Sequence, residues 1–248
     1  MVDDLVTQYS LTGEGEVILL LHGWGDSSLG LINLNAQLTK NYCVVALDLP
    51  GFGGTQLPQH VWGLDDYASF VHDFMAKLGF DHPFAIIGHS NGGAIAIRGC
   101  ALKLFKPTKL ILLAASGVRT THSKRRLLFN VIAKIGTTTT FWLPAHYRQT
   151  LRARLYNAAG SDLLAVGGLQ ETFKKTVRQD VQADAAQLVL PTLLIYAAND
   201  QAVPVEYGQR YHSLIKSSQF EIIKGAGHFV HLDQPAQVQQ LIEKFLTA

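Results

Sequence analysis

The stretch that decides the fold is residues 84–96, which read FAIIGHSNGGAIA. An apolar run leads into a Gly-His-Ser-Asn-Gly turn, and an Ala- and Ile-rich helical pattern follows. A strand, a tight turn and a helix in this order match the G-x-S-x-G pattern of a nucleophile elbow. The pattern predicts a strained turn at Ser90, where side chains at positions 88 and 92 would collide with backbone. The alternative is an ordinary glycine-rich turn in which Ser90 only caps the helix.

Strand and helix patterns alternate on both sides of this stretch. Apolar runs typical of strands buried on both faces occur at 17–21, 42–47, 83–88, 110–114, 192–197 and 219–223, and residues 5–11 predict an edge strand. Helical patterns occupy 29–39 and 65–78, and Pro235 opens a terminal helix. This alternation predicts an α/β fold with a mostly parallel, doubly wound sheet.

The alternation breaks between residues 117 and 190, where the sequence carries no strong strand signal. Helical patterns occur there around 122–135, 145–157, 161–165 and 169–187. We therefore predict a core domain formed by residues 1–116 and 191–248, with a helical insertion, the cap, at residues 117–190.

Polar residues that directly follow strands are the candidates for chemistry, because parallel strands end at one edge of the sheet. His228 follows the last strand in a Gly-Ala-Gly-His loop, and Asp200 follows the strand before it. A serine nucleophile needs a base, and the base needs an acid that fixes its tautomer. We therefore predict catalytic Ser90, His228 and Asp200, with His231 as structural support. The alternative for Asp200 is a turn aspartate beside Pro204.

The glycine-rich loop after the strand at 17–21 is the candidate second half of an oxyanion hole. Backbone N–H groups of Trp24 and Asn91 are the predicted donors, because glycines let the main chain approach a substrate carbonyl closely. His22 and Gly23 in the same loop are predicted substrate-binding residues. The loop that begins at Asp48 is predicted to be structural.

Taken together, these motifs resemble the α/β-hydrolase superfamily over nearly the whole chain. The residues that carry the resemblance are His22-Gly23-Trp24-Gly25, Asp48-Leu49-Pro50-Gly51-Phe52-Gly53, Gly88-His89-Ser90-Asn91-Gly92-Gly93, Asn199-Asp200 and Gly227-His228. The resemblance implies an eight-stranded, mostly parallel sheet, a helical cap inserted after the sixth strand, and a triad of Ser90, Asp200 and His228. Within the superfamily, a serine at position 90 argues against the branches that use an aspartate nucleophile, namely haloalkane dehalogenases and epoxide hydrolases.

The predicted function is hydrolysis of a carboxylic ester by a serine hydrolase. Carbon–carbon bond hydrolases and cofactor-free haloperoxidases share the serine elbow, so the motif does not separate them from ester hydrolases. A carrier-linked acyl methyl esterase also stays open, and so does a ligand-binding or signalling protein of the same fold. Trp142 and Tyr147 are predicted substrate-binding residues of the cap, and Phe173 is a further candidate for its apolar lining. We expect no cofactor and no metal ion.

Composition and charge limit the partners and the cellular location that we expect for this protein. The net charge of +2 over 248 residues indicates neither nucleic acid nor a membrane as partner. No apolar run approaches the length of a transmembrane helix, and the N-terminus lacks the basic and apolar regions of a signal peptide. Cys43 and Cys100 are predicted to be buried free thiols. We therefore expect a cytoplasmic protein that acts on a small-molecule ester.

Charge is distributed unevenly along the chain. Residues 119–178 contain 11 of the 21 Lys and Arg residues but 2 of the 19 Asp and Glu residues, a net charge of +9 against −7 elsewhere. The simplest interpretation is a solvated helical surface. The sharper hypothesis is that the cap receives an acidic carrier protein or an anionic substrate. Pimeloyl-carrier methyl esterases of the superfamily resemble that arrangement.

Overall fold

The computed structural model describes residues 1–119 and 168–248. Seven strands form one sheet in these ranges: β1 (Tyr9–Thr12), β2 (Val17–Leu21), β3 (Cys43–Leu47), β4 (Ala85–His89), β5 (Lys109–Leu113), β6 (Thr192–Ala197) and β7 (Ser218–Ile223). Strands β2 to β7 begin and end within two residues of the predicted ranges, whereas β1 begins at Tyr9 rather than at residue 5. The α/β-hydrolase type of sheet that the sequence predicts is therefore present.

The strand count differs from the eight that the resemblance implied, because the described residues contain seven. At the N-terminus, Val2 and Leu5 form only an isolated antiparallel bridge. Asp3 and Asp4 between them have positive φ angles of 45° and 60°, so the chain turns back on itself at once. Too few extended residues are left there for a further strand. The cap segment consequently follows β5, the fifth strand of the sheet.

The strand order is β1-β3-β2-β4-β5-β6-β7, in which β1 runs antiparallel to β3 and every other neighbouring pair is parallel. From β2 the chain moves to one side to form β3 and then returns to the other side to form β4. This reversal between adjacent strands is the position at which open α/β sheets bind ligands, beyond the carboxyl ends of the strands. The loops after β2 and β4 meet there.

Helices cover both faces of the sheet in the described ranges. They are α1 (Ile32–Leu38), preceded by a 3-10 turn (Ser28–Leu31), α2 (Leu64–Lys77), α3 (Asn91–Ala101), α4 (Gln170–Arg178), α5 (Gln182–Ala185), α6 (Val205–Leu214), α7 (Val230–Asp233) and α8 (Pro235–Thr247). Apolar residues of α2 and α3 share a buried cluster with one face of the sheet, and those of α1 and α8 share another cluster with the opposite face. Burial on both faces explains why the central strands are apolar throughout.

Part of the predicted cap lies within the described residues. The pattern at 169–187 forms two helices rather than one, because Gln179 is extended (φ −78°, ψ 140°) and Asp180 Oδ1 then accepts a hydrogen bond from the backbone N–H of Gln182. Leu169, Val181 and Leu188 are buried in the same hydrophobic cluster as the sheet. The helical patterns predicted at 122–135, 145–157 and 161–165 lie outside the described residues, and the domain boundaries stay a prediction.

Two expectations from composition have structural counterparts. None of the helices in residues 1–119 and 168–248 has both the length and the hydrophobicity needed to cross a membrane. Cys43 and Cys100 are free thiols, as predicted, but both are half-buried rather than fully buried.

Candidate active site

The turn at Ser90 has the strained geometry that its sequence predicts. Ser90 has φ 50° and ψ −114°, a conformation that residues with a Cβ atom seldom adopt. Its backbone N–H donates to the carbonyl oxygen of Leu113 at 2.9 Å, and its own carbonyl accepts from the N–H of Ser116 at 3.0 Å. The end of β5 therefore holds the turn in place. The side chain of Ser90 makes no capping hydrogen bond to α3, so the helix-cap alternative is wrong.

The glycines beside Ser90 are required by close approach of backbone. A Cβ atom on Gly92 would lie 2.3 Å from the carbonyl oxygen of Leu21, and one on Gly88 would lie 2.7 Å from backbone atoms of Gly92. Both distances are far below any real contact of a Cβ atom, which confirms the predicted collisions. The absence of these side chains lets β4 and α3 pack against the end of β2.

The three residues predicted as catalytic lie in one hydrogen-bonded chain. His228 Nδ1 is 2.8 Å from Asp200 Oδ2, and His228 Nε2 is 3.0 Å from Ser90 Oγ. Since a carboxylate only accepts, Nδ1 carries the proton and donates to Asp200, which leaves Nε2 to accept from the Ser90 hydroxyl. The side chain of Asp200 is completely buried, whereas that of His228 keeps 19% of its surface exposed. This arrangement can deprotonate a serine as it attacks.

Asp200 is held from two directions after the end of β6. Its Oδ1 accepts hydrogen bonds from the backbone N–H groups of Ala202 at 2.7 Å and Val203 at 2.8 Å. Oδ2 faces His228. The turn-aspartate interpretation and the predicted contact with the base therefore both describe this residue, each through a different oxygen. Hydrogen bonds to Oδ1 fix the carboxylate so that Oδ2 points at the imidazole.

The loop that carries His228 lies at the margin of the sheet, directly after β7. Gly225 has φ 71°, which turns the chain back toward β6. The backbone N–H of Gly227 donates to Asp233 Oδ2 at 2.7 Å, and the carbonyl of Ala226 accepts from the N–H of Asn199 at 3.1 Å. These bonds direct the loop inward, over the serine.

Of the predicted oxyanion-hole residues, Trp24 lies on the loop after β2 and Asn91 lies at the start of α3, and these two segments meet beside Ser90. Asn91 is the first residue of α3, and the N–H groups of a first helical turn lack partners within their own helix. A Cβ atom on Gly23 would lie 3.1 Å from Cβ of Ser90, so the loop after β2 passes directly against the nucleophile. The next residue, Trp24, packs its ring on Phe52 (centroids 4.9 Å apart) and Phe173 (5.1 Å).

His22 supports this loop from beneath. The residue is fully buried; its Nε2 accepts from the backbone N–H of Leu49 at 2.9 Å, so Nδ1 carries the proton and donates to the carbonyl of Gly23 at 2.7 Å. No ring nitrogen is left for a substrate, and the placement does not support the prediction of His22 as a substrate-binding residue. Asp48, predicted as structural, accepts from the N–H groups of Ser28 and Gly54.

Three buried histidines near the site have lowered pKa values. Burial lowers the pKa of His22 and His231 and lowers that of His89 well below its usual value, an effect that nearby His228 and His231 reinforce. His231 Nε2 donates to the carbonyl of Gly30 at 3.1 Å, as expected of a supporting residue. In the described part of the chain, no group of His, Cys, Asp or Glu side chains is arranged to hold a metal ion.

Two contacts of the site were missed by the sequence analysis. His89, to which the sequence analysis assigned no contact, places Nε2 3.0 Å from the carbonyl oxygen of His228. Phe229 packs its half-exposed ring 5.5 Å from the ring of His228 and 5.3 Å from that of His89. The contacts that His89 makes have no local sequence signal, because residues 228 and 229 lie about 140 residues away along the chain. The predicted substrate-binding residues Trp142 and Tyr147 lie outside the described residues.

Comparison with known proteins identifies the family. The model of the alpha/beta hydrolase family matches residues 18–241, which include the elbow, Asp200 and His228. The chain belongs to the alpha/beta hydrolase family. The described fold agrees with this assignment, since the mostly parallel sheet and the position of the serine turn between β4 and α3 are those that the sequence predicted.

Relatives within the alpha/beta hydrolase family carry names of different reactions. The chain is 26% identical over 265 residues to a 2-hydroxy-6-oxo-6-(2'-aminophenyl)hexa-2,4-dienoic acid hydrolase of Metapseudomonas resinovorans, with 97% of this chain and 87% of the relative covered. It is 25% identical over 244 residues to a pimeloyl-[acyl-carrier protein] methyl ester esterase of Neisseria meningitidis, with 92% of each covered. The family is therefore shared by proteins that are named for different substrates.

A solved structure shows the same fold. A thermophilic esterase from Thermogutta terrifontis superimposes with a TM-score of 0.73 at 22% identity, over 97% of this chain and 93% of that one. At this identity the likeness concerns the arrangement of the chain and not its substrate.

Proposed function

We propose that this alpha/beta hydrolase is a serine hydrolase that cleaves a carboxylic ester through an acyl-enzyme. The observation that carries the proposal is the continuous hydrogen-bonded chain from Ser90 Oγ through the imidazole of His228 to Asp200 Oδ2, with distances of 3.0 and 2.8 Å. A nucleophile, a base and an orienting acid within direct reach are the parts that acyl transfer requires.

The proposed reaction proceeds in two halves. Ser90 Oγ attacks the ester carbonyl carbon while His228 Nε2 takes the hydroxyl proton, and Asp200 stabilises the imidazolium that results. Backbone N–H groups of Trp24 and Asn91 donate to the oxyanion of the tetrahedral intermediate. The intermediate collapses as His228 returns the proton to the leaving alkoxide, which departs as an alcohol. Water, deprotonated by His228, then attacks the acyl-enzyme, and His228 returns that proton to Ser90 Oγ as the carboxylic acid is released.

Apolar walls around the serine support an ester with an uncharged acyl group. Trp24, packed between Phe52 and Phe173, lies on the loop next to Ser90, and Phe229 lies beside His228. These rings offer contact area but no counter-ion to a charged substrate. Gly23, which passes within contact of Ser90, lets the substrate carbonyl approach the backbone.

Carbon–carbon bond hydrolysis is the second candidate, and the relative from Metapseudomonas resinovorans favours it. That protein, similar over 97% of this chain, is named as a hydrolase of a dienoic acid. The same serine, histidine and aspartate serve either reaction, so the substrate rather than the triad separates them.

A carrier-linked ester is a narrower form of the first proposal. It is supported by the net charge of +9 over residues 119–178 and by the similarity to a pimeloyl-[acyl-carrier protein] methyl ester esterase. We retain the division into a core (1–116 and 191–248) and a cap (117–190), with the basic cap receiving an acidic carrier protein or an anionic substrate. Within the described residues Lys175 of this surface is paired with Asp66, and Lys174 with Glu171.

Salt dependence tests the carrier hypothesis. Attraction to an acidic partner weakens as salt screens it, so kcat/KM for a carrier-linked ester is expected to fall between about 0.02 and 0.5 M salt, while that of a neutral ester stays level. Replacing Arg125, Arg126, Arg152 and Arg154 with Glu is expected to slow the carrier-linked substrate alone. If kcat/KM depends on salt equally for both substrates, the carrier hypothesis is wrong and the basic residues of the cap are only a solvated surface.

A substrate panel tests the proposed reaction itself. Turnover is measured with p-nitrophenyl esters of increasing acyl length and with a 2-hydroxy-6-oxo-dienoate, together with the intact mass of the protein during turnover. The ester proposal predicts turnover of the esters and an acyl adduct that is absent from Ser90→Ala. Preference for the dienoate by about 100-fold or more in kcat/KM would favour the second candidate. Tight binding with negligible turnover of every compound would indicate a binding protein.

A further inference from the structure

The residue directly before the nucleophile contacts the backbone of the base. His89 ends β4, and its Nε2 lies 3.0 Å from the carbonyl oxygen of His228. A carbonyl oxygen can only accept, so Nε2 of His89 carries the proton and donates it. This hydrogen bond runs from the centre of the sheet to the loop after β7.

Two consecutive elbow residues therefore hold His228 at opposite ends. Ser90 Oγ is 3.0 Å from the imidazole, and His89 donates to the main chain of the same residue. The first bond must rearrange when the serine proton moves, whereas the second involves no reacting atom. A bond that persists through the reaction can fix the backbone from which the imidazole projects.

The surroundings of His89 keep its donor on the correct nitrogen. The residue is 1% exposed, and its ring packs against the rings of His228 (4.9 Å), Phe229 (5.3 Å) and His231 (4.9 Å). Nδ1 is buried without a hydrogen-bond partner among the described residues, and it lies so near Gly23 that a Cβ atom there would be 3.0 Å away. A proton on Nδ1 would be unpaired and buried beside His228, which disfavours both the charged ring and the other tautomer.

We propose that His89 is a positioning residue, which fixes the backbone of His228 against the elbow so that the imidazole stays aligned with Ser90. The inference rests on the proposed function, because it takes His228 as the base. It assigns no proton transfer to His89 itself. The alternative is that the His89 ring only fills space between β4 and the loop after β7.

Two substitutions separate the hydrogen bond from the packing. His89→Gln places an amide N–H close to the position of Nε2 and carries no charge at any pH. His89→Phe keeps an aromatic ring of similar size and loses the donor; His89→Leu is the smaller replacement if the Phe variant does not fold. Each purified variant is compared with wild type in thermal midpoint, in kcat and KM for a p-nitrophenyl ester, and in the low-field proton NMR signal of the His228–Asp200 hydrogen bond.

We expect turnover to fall when the hydrogen-bond donor at position 89 is removed and to be kept when the donor is retained. His89→Phe is expected to lower kcat by about 10- to 100-fold with KM within about twofold, because a small misplacement of a catalytic group has that effect. Its low-field signal is expected to broaden, while His89→Gln keeps both the signal and kcat within about threefold of wild type. If Gln and Phe lower kcat equally, or if Phe keeps both kcat and the signal, the proposal is wrong.

The NMR signal keeps this test separate from the test of the proposed function. It reports the alignment of His228 with Asp200 without any turnover. If wild-type protein cleaves no ester, but His89→Phe loses the signal and His89→Gln keeps it, the positioning role of His89 stands and the proposed reaction is wrong. If wild type cleaves esters normally, but His89→Phe changes neither the signal nor kcat, the proposed reaction stands and the positioning role is wrong.

Discussion

The two halves of the candidate site are built differently. Ser90 lies at the centre of the sheet, on a left-handed turn held by Leu113 and Ser116 of the neighbouring β5 segment. His228 lies at the margin, after the edge strand β7, on a loop held by single hydrogen bonds to Asp233, to Asn199 and to the elbow. The nucleophile is therefore fixed by the sheet itself, and the base is fixed by bonds that cross between segments.

This difference determines which substitutions each half of the site can tolerate. Around the elbow, close packing of backbone determines the sequence, because Gly88 and Gly92 touch main-chain atoms where no side chain fits. Around His228 the backbone has space, and alignment depends on particular donors and acceptors. Substitutions of the elbow glycines should therefore act on folding, whereas loss of the donors and acceptors around His228 should act on alignment.

The largest expected loss of kcat follows from removal of either partner in the proton transfer, Ser90 or His228. Ser90→Ala and His228→Ala are each expected to lower kcat by about 10⁴- to 10⁶-fold, and the double variant by no more than either alone, because the triad acts as a unit. The measurement is kcat for a p-nitrophenyl ester, with circular dichroism to confirm folding. Losses that multiply in the double variant would mean that the two residues act independently.

A smaller loss is expected when the acid is neutralised. In Asp200→Asn the two backbone donors at Oδ1 keep the amide oxygen there, so the amide N–H₂ faces His228 and favours the wrong tautomer. We expect kcat to fall by about 10³- to 10⁴-fold. His231→Ala is the control, since the hydrogen bond of His231 goes to the carbonyl of Gly30 and not to a triad residue, and its kcat should fall less than about tenfold. A larger loss in the control than in Asp200→Asn would reverse the assignments.

Matched glycine substitutions compare the two halves in stability. Gly92→Ala puts a Cβ atom 2.3 Å from a backbone oxygen, whereas Gly227→Ala puts one 3.4 Å from Asp233 Oδ2 in ordinary contact. The free energy of unfolding should fall by about 3 kcal/mol in the first and by less than about 0.5 kcal/mol in the second. Denaturant unfolding at one pH measures both. Equal losses would show that the base loop is packed as tightly as the elbow.

The smallest effect concerns the buried histidines of the two halves. The pKa of His89 is lowered well below its usual value and that of His231 is lowered, both mainly by burial. As the pH falls below about 6.5, these histidines therefore bind protons in the unfolded chain before they do so in the folded protein. The free energy of unfolding is at its full value above that pH, and it decreases as the pH falls toward the lower pKa of the folded state.

Replacing either histidine should reduce this loss. His89→Gln and His231→Gln should each flatten the dependence of unfolding free energy on pH by up to about 1.4 kcal/mol per unit below pH 6.5. The flattening should extend to lower pH for His89, whose pKa is lowered further. Above pH 7 the slopes of both variants should match wild type, which serves as the internal control. Unchanged slopes at low pH would contradict the burial argument.

Much of the fold and the triad could be predicted because their signals are local. The apolar runs of β2 to β6 follow from burial on both faces, and Ser90, Asp200 and His228 each come directly after a strand. The seven strands were predicted as well, from six apolar runs and the edge strand near residues 5–11. The eighth strand that the resemblance implied is wrong, because the turn at Asp3 and Asp4 leaves only an isolated bridge before β1.

The hydrogen bonds that join distant segments of the site could not be predicted from the sequence. The roles of His22 and His89 depend on which carbonyl or N–H group lies within 3 Å of each ring, and their partners are Leu49 and His228. A histidine beside a nucleophile looks the same in sequence whether it faces substrate, solvent or backbone. Only the folded arrangement of β4 and the loop after β7 distinguishes these cases.

The central claim is that His228 activates Ser90 as the nucleophile, and labelling by a fluorophosphonate tests it most directly. The probe is reacted with wild type, Ser90→Ala and His228→Ala, and the modified peptide is identified by mass spectrometry. We predict labelling of Ser90 alone in wild type, none in Ser90→Ala, and labelling slowed by about 100-fold or more in His228→Ala. Labelling at another residue, or an unchanged rate in His228→Ala, would contradict the account.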